Sequence, residues 1–227
     1  MFSVGQDWNH RQSLLKQAIK EQKIDKIKDL LYELHSIVHS SRVYKSQKSS
    51  FLDEICEDLN EKAFRIMPTS NDVTIAWNIW HITRIEDITS NILIANTNSI
   101  LTDTWLERMK ISIRDTGNAM SDEEILSFSN EIFLEELLAY RDSVGIRTKQ
   151  IIENLTLEDL KRKFMKSQLN NILTEGGVLE HPESIWLLDF WGKKNVGGIL
   201  LMPVTRHQVV HLNDCNKLKK KCGNLKT

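Results

Sequence analysis

Glycine and proline are scarce in this chain of 227 residues, which contains 9 and 3 of them. A typical soluble chain of this length carries roughly 27 glycines and prolines together. Because these residues make the tight turns of β-hairpins, their shortage argues against an all-β fold with many hairpins and favours long helices.

Cysteine and long apolar runs are also scarce. The three cysteines, Cys56, Cys215 and Cys222, form no CxxC pair, so we expect no disulfide framework and a reducing cytoplasmic environment. No apolar run approaches the ~18–20 residues of a membrane span. The first residues lack the basic start and apolar stretch of a signal peptide.

The chain has no excess of charge of either sign, since 30 basic and 31 acidic residues leave a net charge of −1. Such a balance gives no general attraction to nucleic acid or to an anionic membrane. The basic run Lys217–Lys221 carries no interleaved aromatic residues, so we interpret it as a helix end whose lysines complement the helix dipole. The length predicts one domain over residues 1–227.

Apolar residues recur at helical spacing in four long segments, and this pattern predicts helices near residues 8–39, 71–96, 131–154 and 198–221. Capping and proline signals predict shorter helices at 51–66, at 105–110, after Ser121, after Thr156 and from Pro182. Residues 164–181 are expected to be irregular. The predicted fold is all-α: a four-helix bundle with a crossover connection and additional short helices.

Three histidines lie where the cores of these helices are expected. His81 shares one helix face with Trp77 and Ile85, and His207 and His211 are an i, i+4 pair on the last long helix. Imidazole is a common ligand of zinc, nickel, copper and iron, and three imidazoles with an open position are typical of a catalytic metal site.

The spacing alone leaves other interpretations open. A single histidine on an apolar face is more often a hydrogen-bonded core residue than a ligand. The chain also contains a second HxxxH pair, His35 and His39, for which we favour the interpretation of histidines at a helix C-terminus that interact with the helix dipole.

Several further side chains have both a functional and a structural interpretation. Cys215 follows His211 by four residues, but it is rotated about 80° from His207 around the helix, which favours a packed thiol over a fourth ligand. Glu86 and Asp87 could act as general bases; neither is in phase with His81, and we favour surface ion pairs with Arg84 or helix neighbours. Four tryptophans could line a substrate pocket, although core packing is the default: Trp77, Trp80, Trp186 and Trp191.

Two segments carry a family resemblance. The segment Trp77–Asp87 resembles the signature helix of the DinB-like superfamily, also called DinB/YfiT-like, and His207–Asp214 resembles its second signature. Further stretches with the same resemblance are 38–41, 105–108 and 140–145. The resemblance covers the chain from about Leu14 to Asp214.

The resemblance implies a four-helix bundle in which His81, His207 and His211 hold a divalent metal ion, zinc or nickel first, with iron or manganese as alternatives. The superfamily includes thiol-dependent transferases and isomerases that use bacillithiol, mycothiol or glutathione. The resemblance therefore implies a small-molecule substrate, with a low-molecular-weight thiol as a candidate partner. It is also compatible with a homodimer. Asp214 stands where the family commonly has glutamate, and its shorter side chain suggests a role behind the ligands rather than on the ion.

Three functions follow as hypotheses. The first is a metal-dependent enzyme that acts on a small molecule as a thiol-dependent S-transferase or a hydrolase. The alternative is a non-catalytic, stress-related bundle with a structural or ligand-binding metal site; a scaffold or dimerisation module with a vestigial site is the third. Whether the open side of the site reaches solvent discriminates between the first two.

Overall fold

The computed structural model of the chain describes residues 6–224, and its regular structure is helical. Within these residues the only strand-like pairing is an isolated bridge between Lys163 and Asn195, so the all-α prediction is confirmed. The α-helices, in chain order, are α1 Gln6–Lys20, α2 Ile24–Val38, α3 Ser41–Tyr44, α4 Phe51–Cys56, α5 Glu61–Arg65, α6 Ile75–Asp87, α7 Asp103–Met109, α8 Asp122–Glu131, α9 Leu134–Asn154, α10 Leu157–Lys161, α11 Lys166–Thr174, α12 Pro182–Gly192, α13 Val196–Leu201 and α14 His207–Asn224.

Two π-helical segments extend the α-helices. The first, Ile88–Ala95, continues α6, and the second, Met202–Arg206, joins α13 to α14. Pro203 lies in the second segment and cannot donate a backbone hydrogen bond, so the wide turn occurs where a regular α-helix would be interrupted. The last long helix predicted at 198–221 is therefore present, but it changes its winding immediately before His207.

Helix α6 is the central helix of the fold. It packs against α9 and α14, while its π extension packs against α9 and α11. From residue 78 to residue 94 every side chain is buried, although a helix at the surface of a globular protein normally keeps one polar face in water. The polar residues of α6 therefore need partners inside the protein.

Asp87 shows how this requirement is met. Its carboxylate accepts hydrogen bonds from Arg84 Nη1 at 3.0 Å and from the Tyr140 hydroxyl at 2.6 Å. It also accepts from the backbone N–H groups of Ile100 and Leu101, which fixes the loop after the π segment. The expected ion pair with Arg84 is present, but it is buried rather than at the surface, and Asp87 is a structural group.

The long helix predicted at 8–39 is wrong, because the structure has two helices there, α1 and α2. Gln22 adopts a left-handed conformation with φ of 57°, and Lys23 N–H bonds back to the Ala18 carbonyl. The chain then reverses so that α1 packs on α2, and an ion pair joins Arg11 to Glu33. No glycine or proline marks this turn. The helical spacing of apolar residues continues across it, and for that reason the sequence predicted a single helix.

Two predictions for shorter segments are also wrong. The helix predicted at 51–66 is interrupted at Asp58, whose φ is 56°, and becomes α4 and α5. Residues 164–181, expected to be irregular, contain α11. In α11, Gln168 is buried and donates to the carbonyls of Ile92 and Leu93 at the end of the π segment, so a polar side chain anchors this helix to the core.

The remaining helix predictions agree with the structure within a few residues. Ser121 and Glu124 form the predicted capping box, and Pro182 opens α12. One cluster of buried hydrophobic side chains extends from Trp8 to Leu218. The arrangement of the long helices as four members of a bundle with a crossover stays a prediction. None of the helices described is long and apolar enough to cross a membrane.

Candidate metal centre

His81, His207 and His211, which we call the histidine triad, meet at the contact between α6 and α14. One ring nitrogen of each lies within 4.8 Å of one nitrogen of each of the others. The ring centroids are 4.5 Å apart for His207 and His211, and those of His81 lie 5.1 and 4.8 Å away. His81 is 3% exposed, whereas the other two rings are half-buried. The triad is therefore sealed at α6 and only partly buried at α14.

The tautomer of His81 follows from its hydrogen bond. Its Nδ1 lies 2.8 Å from the carbonyl oxygen of Thr116. A carbonyl can only accept, so Nδ1 carries the proton and Nε2 keeps its lone pair. A backbone carbonyl behind the remote nitrogen is a common way to orient a histidine that ligates a metal.

His211 is oriented in the same way by a side chain. Its Nδ1 lies 2.8 Å from Oδ1 of Asn78, while Nδ2 of Asn78 donates to the Thr74 carbonyl at 3.2 Å. This second bond fixes the amide orientation, so Oδ1 is the acceptor and Nδ1 of His211 is the donor. The Nε2 atom of His211 is therefore also left with a free lone pair.

His207 supplies the third imidazole, and its Nδ1 is buried without a hydrogen-bond partner. Burial, together with the neighbouring His81 and His211, holds the pKa of His207 well below 6.5. Burial also lowers the pKa of His211, and burial with the adjacent His211 lowers the pKa of His81 to about 3. All three rings are neutral near pH 7, which is the form that binds a metal.

This donor set fits a divalent metal ion. Two imidazoles present Nε2 lone pairs, the third has an unsatisfied buried nitrogen, and no proton has to leave before coordination. Three neutral nitrogens are the ligands preferred by zinc and by other borderline divalent ions.

The short segment Arg114–Gly117 holds the buried side of the site. Its four successive carbonyls accept hydrogen bonds from four side chains of α6: Arg84, Trp80, His81 and Trp77. The ring of Trp77 also stacks on His81, with centroids 4.7 Å apart and planes at 10°. Tryptophan and carbonyl together fix the His81 ring on one face and one edge.

Gly117 gives this segment its shape, and replacing it by alanine should weaken metal binding. Its φ is +77°, and an added Cβ would lie 2.8 Å from Nε1 of Trp77. The left-handed conformation costs an alanine about 1–2 kcal/mol, and the clash displaces the ring that stacks on His81. We expect Gly117→Ala to lower both the free energy of unfolding, measured with urea, and the affinity for zinc.

Gly176→Ala is the matched control for this prediction. Gly176 also has a left-handed backbone, with φ of +71°, but a Cβ there comes no closer than 3.7 Å to Arg114. It should lose similar stability and keep its zinc affinity. Equal zinc affinities in both variants would contradict a role of Gly117 in the site.

Gln208 and Arg141 tie the helices of the triad together. Gln208 follows His207 and donates to the carbonyl of Ile82, which follows His81, at 2.9 Å. The buried guanidinium of Arg141 donates to Gln208 Oε1 at 3.0 Å, to Thr83 Oγ1 and to the Val38 carbonyl. One residue of α9 therefore cross-links α2, α6 and α14.

Asp214 and Cys215 lie outside the histidine triad. Asp214 is half-buried, forms an ion pair with Lys217 at 2.8 Å and interacts electrostatically with His211. Its role behind the ligands stays a prediction, and the side chain hydrogen-bonded to His211 is Asn78. Cys215 is fully buried in the apolar core, and burial raises the pKa of its thiol. The packed-thiol interpretation therefore fits, and all three cysteines are free.

The second HxxxH pair is also buried, contrary to the interpretation as histidines held at a helix end by the helix dipole. His35 and His39 are both 0% exposed and contact Glu86, which is likewise 0% exposed. Glu86 is therefore not part of a surface ion pair. His35, His39 and Glu86 form a separate group, which we call the HHE cluster.

The four tryptophans divide between the two interpretations. Trp80 and Trp191 are core residues, 0% and 1% exposed, whereas Trp77 is half-buried against the triad. Trp186 is 48% exposed on α12 and stacks edge-on against Phe190. Trp77 is thus the one member of the four that contacts a triad residue.

Sequence reasoning missed Asn78, the carbonyl of Thr116, and the partnership of Glu86 with the second histidine pair. A usable signal for Asn78 was present, because it precedes His81 by three residues on the same helix and so shares its side of α6. The carbonyl of Thr116 has no sequence signal, since any residue could supply it.

The comparison with known proteins agrees with this site. The family model described as the DinB superfamily matches residues 50–215, nearly three quarters of the chain. The matched range includes all three triad histidines and excludes His35 and His39. No curated protein matches the chain significantly.

Proposed function

The chain belongs to the DinB superfamily, and from the histidine triad we propose that it is a metal-dependent enzyme that acts on a small molecule. His81, His207 and His211 hold the divalent ion, and the reaction is the transfer of a low-molecular-weight thiol or a hydrolysis. When bound, the ion supplies Lewis acidity, which makes a nucleophile available at neutral pH.

The observation that carries this proposal is the unequal burial of the three rings. His81 is sealed inside the protein, while His207 and His211 are half-buried on α14. Structural metal sites are closed by protein ligands on all sides, whereas catalytic sites keep an open position. Partial exposure of two of the three ligand residues supports the enzyme over the purely structural alternative.

The residues around the triad have distinct tasks in the proposed reaction. Asn78 and the Thr116 carbonyl keep the protons of His211 and His81 on Nδ1, so both lone pairs stay aimed at the site. The flat face of Trp77 covers His81 and excludes water from that side. The reacting molecule approaches from α14, where both ligand histidines are partly exposed.

The test uses protein purified without a histidine tag or nickel resin. It is loaded with zinc, nickel, iron(II) or manganese and assayed with thiols and electrophilic small molecules. Consumption of the free thiol, followed with a thiol-reactive dye, supports the transferase, and metal-dependent ester cleavage without thiol loss supports the hydrolase. Activity should be lost in His211→Ala and kept in Lys217→Ala, which removes the ion-pair partner of Asp214 on the same helix.

Two results would overturn the enzyme proposal. One is metal binding at the triad with no turnover of either kind. The other is a loss of helical circular dichroism in the variant His207→Ala/His211→Ala, which lacks the triad metal but keeps the HHE cluster, since the triad ion would then support the fold rather than a reaction.

A further inference from the structure

The HHE cluster lies between α2 and α6; its two histidines precede the matched range 50–215, whereas Glu86 lies inside it. His35 and His39 are one turn apart on α2, and their rings stack with centroids 4.2 Å apart. Nε2 of His35 lies 2.8 Å from Oε1 of Glu86, and Nε2 of His39 lies 2.9 Å from Oε2. All three side chains are fully buried. The same nitrogen of each ring is thus turned toward one carboxylate.

These separations match neighbouring ligands around one ion. Ligands bound at about 2.0–2.2 Å and roughly at right angles lie about 3 Å apart. The donor atoms of the HHE cluster lie within 4.8 Å of one another. Two imidazoles and one carboxylate are a common ligand set for zinc, iron(II) and manganese.

Residues around the HHE cluster hold its two imidazole rings in place, as the residues behind metal ligands do. The Tyr44 hydroxyl lies 2.7 Å from Nδ1 of His35. It can accept a hydrogen bond from Nδ1–H, and in that tautomer the lone pair of Nε2 faces Glu86. At Gly145 an added Cβ would lie 2.4 Å from Nδ1 of His39. The glycine therefore supplies the space that the His39 ring occupies.

Among the described residues, the buried carboxylate of Glu86 lacks a direct cationic partner. Within residues 6–224, no lysine or arginine forms a direct ion pair with Glu86, whose hydrogen-bond partners are the two histidines. The buried guanidinium of Arg141 interacts with this carboxylate electrostatically without a direct contact. Burial of a carboxylate in a core is costly unless a cation or strong donors compensate it.

We propose that His35, His39 and Glu86 form a second, closed divalent-metal site that joins α2 to α6. Its ligand set differs from that of the triad by one carboxylate, and it is sealed where the triad is open. The ion there is structural: it compensates the charge of Glu86 and fixes the position of α2 on the central helix. This site does not depend on metal binding at the triad.

Access to this site is through Tyr44. The ring of Tyr44 lines a cleft of about 480 Å³ between α2 and the segment 44–51, and the HHE cluster lies directly behind its hydroxyl. Because Tyr44 has to move before an ion can pass, the second ion should load and leave more slowly than an ion at the triad.

The first test counts bound zinc by equilibrium dialysis of tag-free protein. The double variant His207→Ala/His211→Ala, which removes the triad, should keep one equivalent of zinc, and addition of Glu86→Gln should remove it. Wild type should bind two equivalents if the triad also binds zinc, and one if it does not, so failure of the triad is distinguished from failure of the HHE cluster. His10→Ala is the control for zinc on exposed histidines and should change nothing.

A second measurement covers the case in which Glu86→Gln fails to fold. Cobalt(II) added to the His207→Ala/His211→Ala protein should give visible absorption bands of a coordinated ion, and a chelator should remove this ion more slowly than the triad ion of wild type. Absence of bound cobalt and zinc in that double variant would overturn the proposal. So would a bound equivalent that persists after Glu86→Gln.

Discussion

Replacement of His207 or His211 by alanine is expected to reduce zinc binding at the histidine triad below detection. Each change removes one of three imidazole ligands and leaves the pocket underfilled. Neither ring contributes much to the packing of the fold, since both are half-buried at the edge of α14. Titration against a chelating dye should show the loss of one zinc equivalent, while the HHE cluster keeps its own, and circular dichroism should show that the helices persist.

The residues behind the ligands should have smaller and unequal effects. Asn78→Ala removes the acceptor that fixes His211, and losses of this kind typically weaken metal affinity about 10–100-fold. Asp214→Asn should change it much less, because the Asp214 carboxylate pairs with Lys217. Unchanged zinc affinity in both His207→Ala and His211→Ala would reject the triad as a metal site. An effect of Asp214→Asn larger than that of Asn78→Ala would reject the roles assigned to these two residues.

The helical spacing of apolar residues predicted the helices that position the triad. It failed to locate the turn between α1 and α2. It found α6, α9 and α14 within a few residues because each buries a continuous stripe. It failed at Gln22, where a left-handed residue that is not glycine reverses the chain. Turns of this kind are stabilised by packing of α1 on α2, which lies outside the local sequence.

The phase argument that set Glu86 aside failed for a different reason. It assumed that a residue out of phase with His81 faces solvent, but α6 has no solvent face between residues 78 and 94. Five residues separate His81 from Glu86, so their side chains point about 140° apart around the helix. The central helix therefore carries one polar group toward α14 and another toward α2.

The two HxxxH pairs could not be ranked by spacing, and the structure shows why. Both place two imidazoles on one side of a helix, and each meets a polar residue of α6. His207 and His211 meet a third imidazole, while His35 and His39 meet a carboxylate. Which partner lies opposite is decided by how α2 and α14 pack on α6, and no single helix encodes that.

Acid should destabilise the metal-free protein steeply, starting well above the range in which carboxylates titrate. Burial lowers the pKa of His39 and of His81 to about 3, whereas an imidazole in the unfolded chain has a pKa of about 6.5. Below pH 6.5 these imidazoles bind protons in the unfolded chain but not in the folded protein. The free energy of unfolding is therefore highest above about pH 6.5 and falls as the pH decreases toward 3. Each such imidazole lowers the free energy of unfolding by about 1.4 kcal/mol per pH unit, or about 3 kcal/mol for the two.

The measurement is urea unfolding of chelator-treated protein at pH 8, 7, 6 and 5. The free energy of unfolding should be nearly constant from pH 8 to 7 and then fall with increasing slope. Glu86 acts in the same direction only at lower pH: burial opposes its charge, but His39 and His35 hold its pKa well below 4.5, so its contribution is lost last. A flat profile between pH 7 and 5 would mean that the buried imidazoles are protonated in the folded protein, which contradicts the neutral rings on which both metal sites depend.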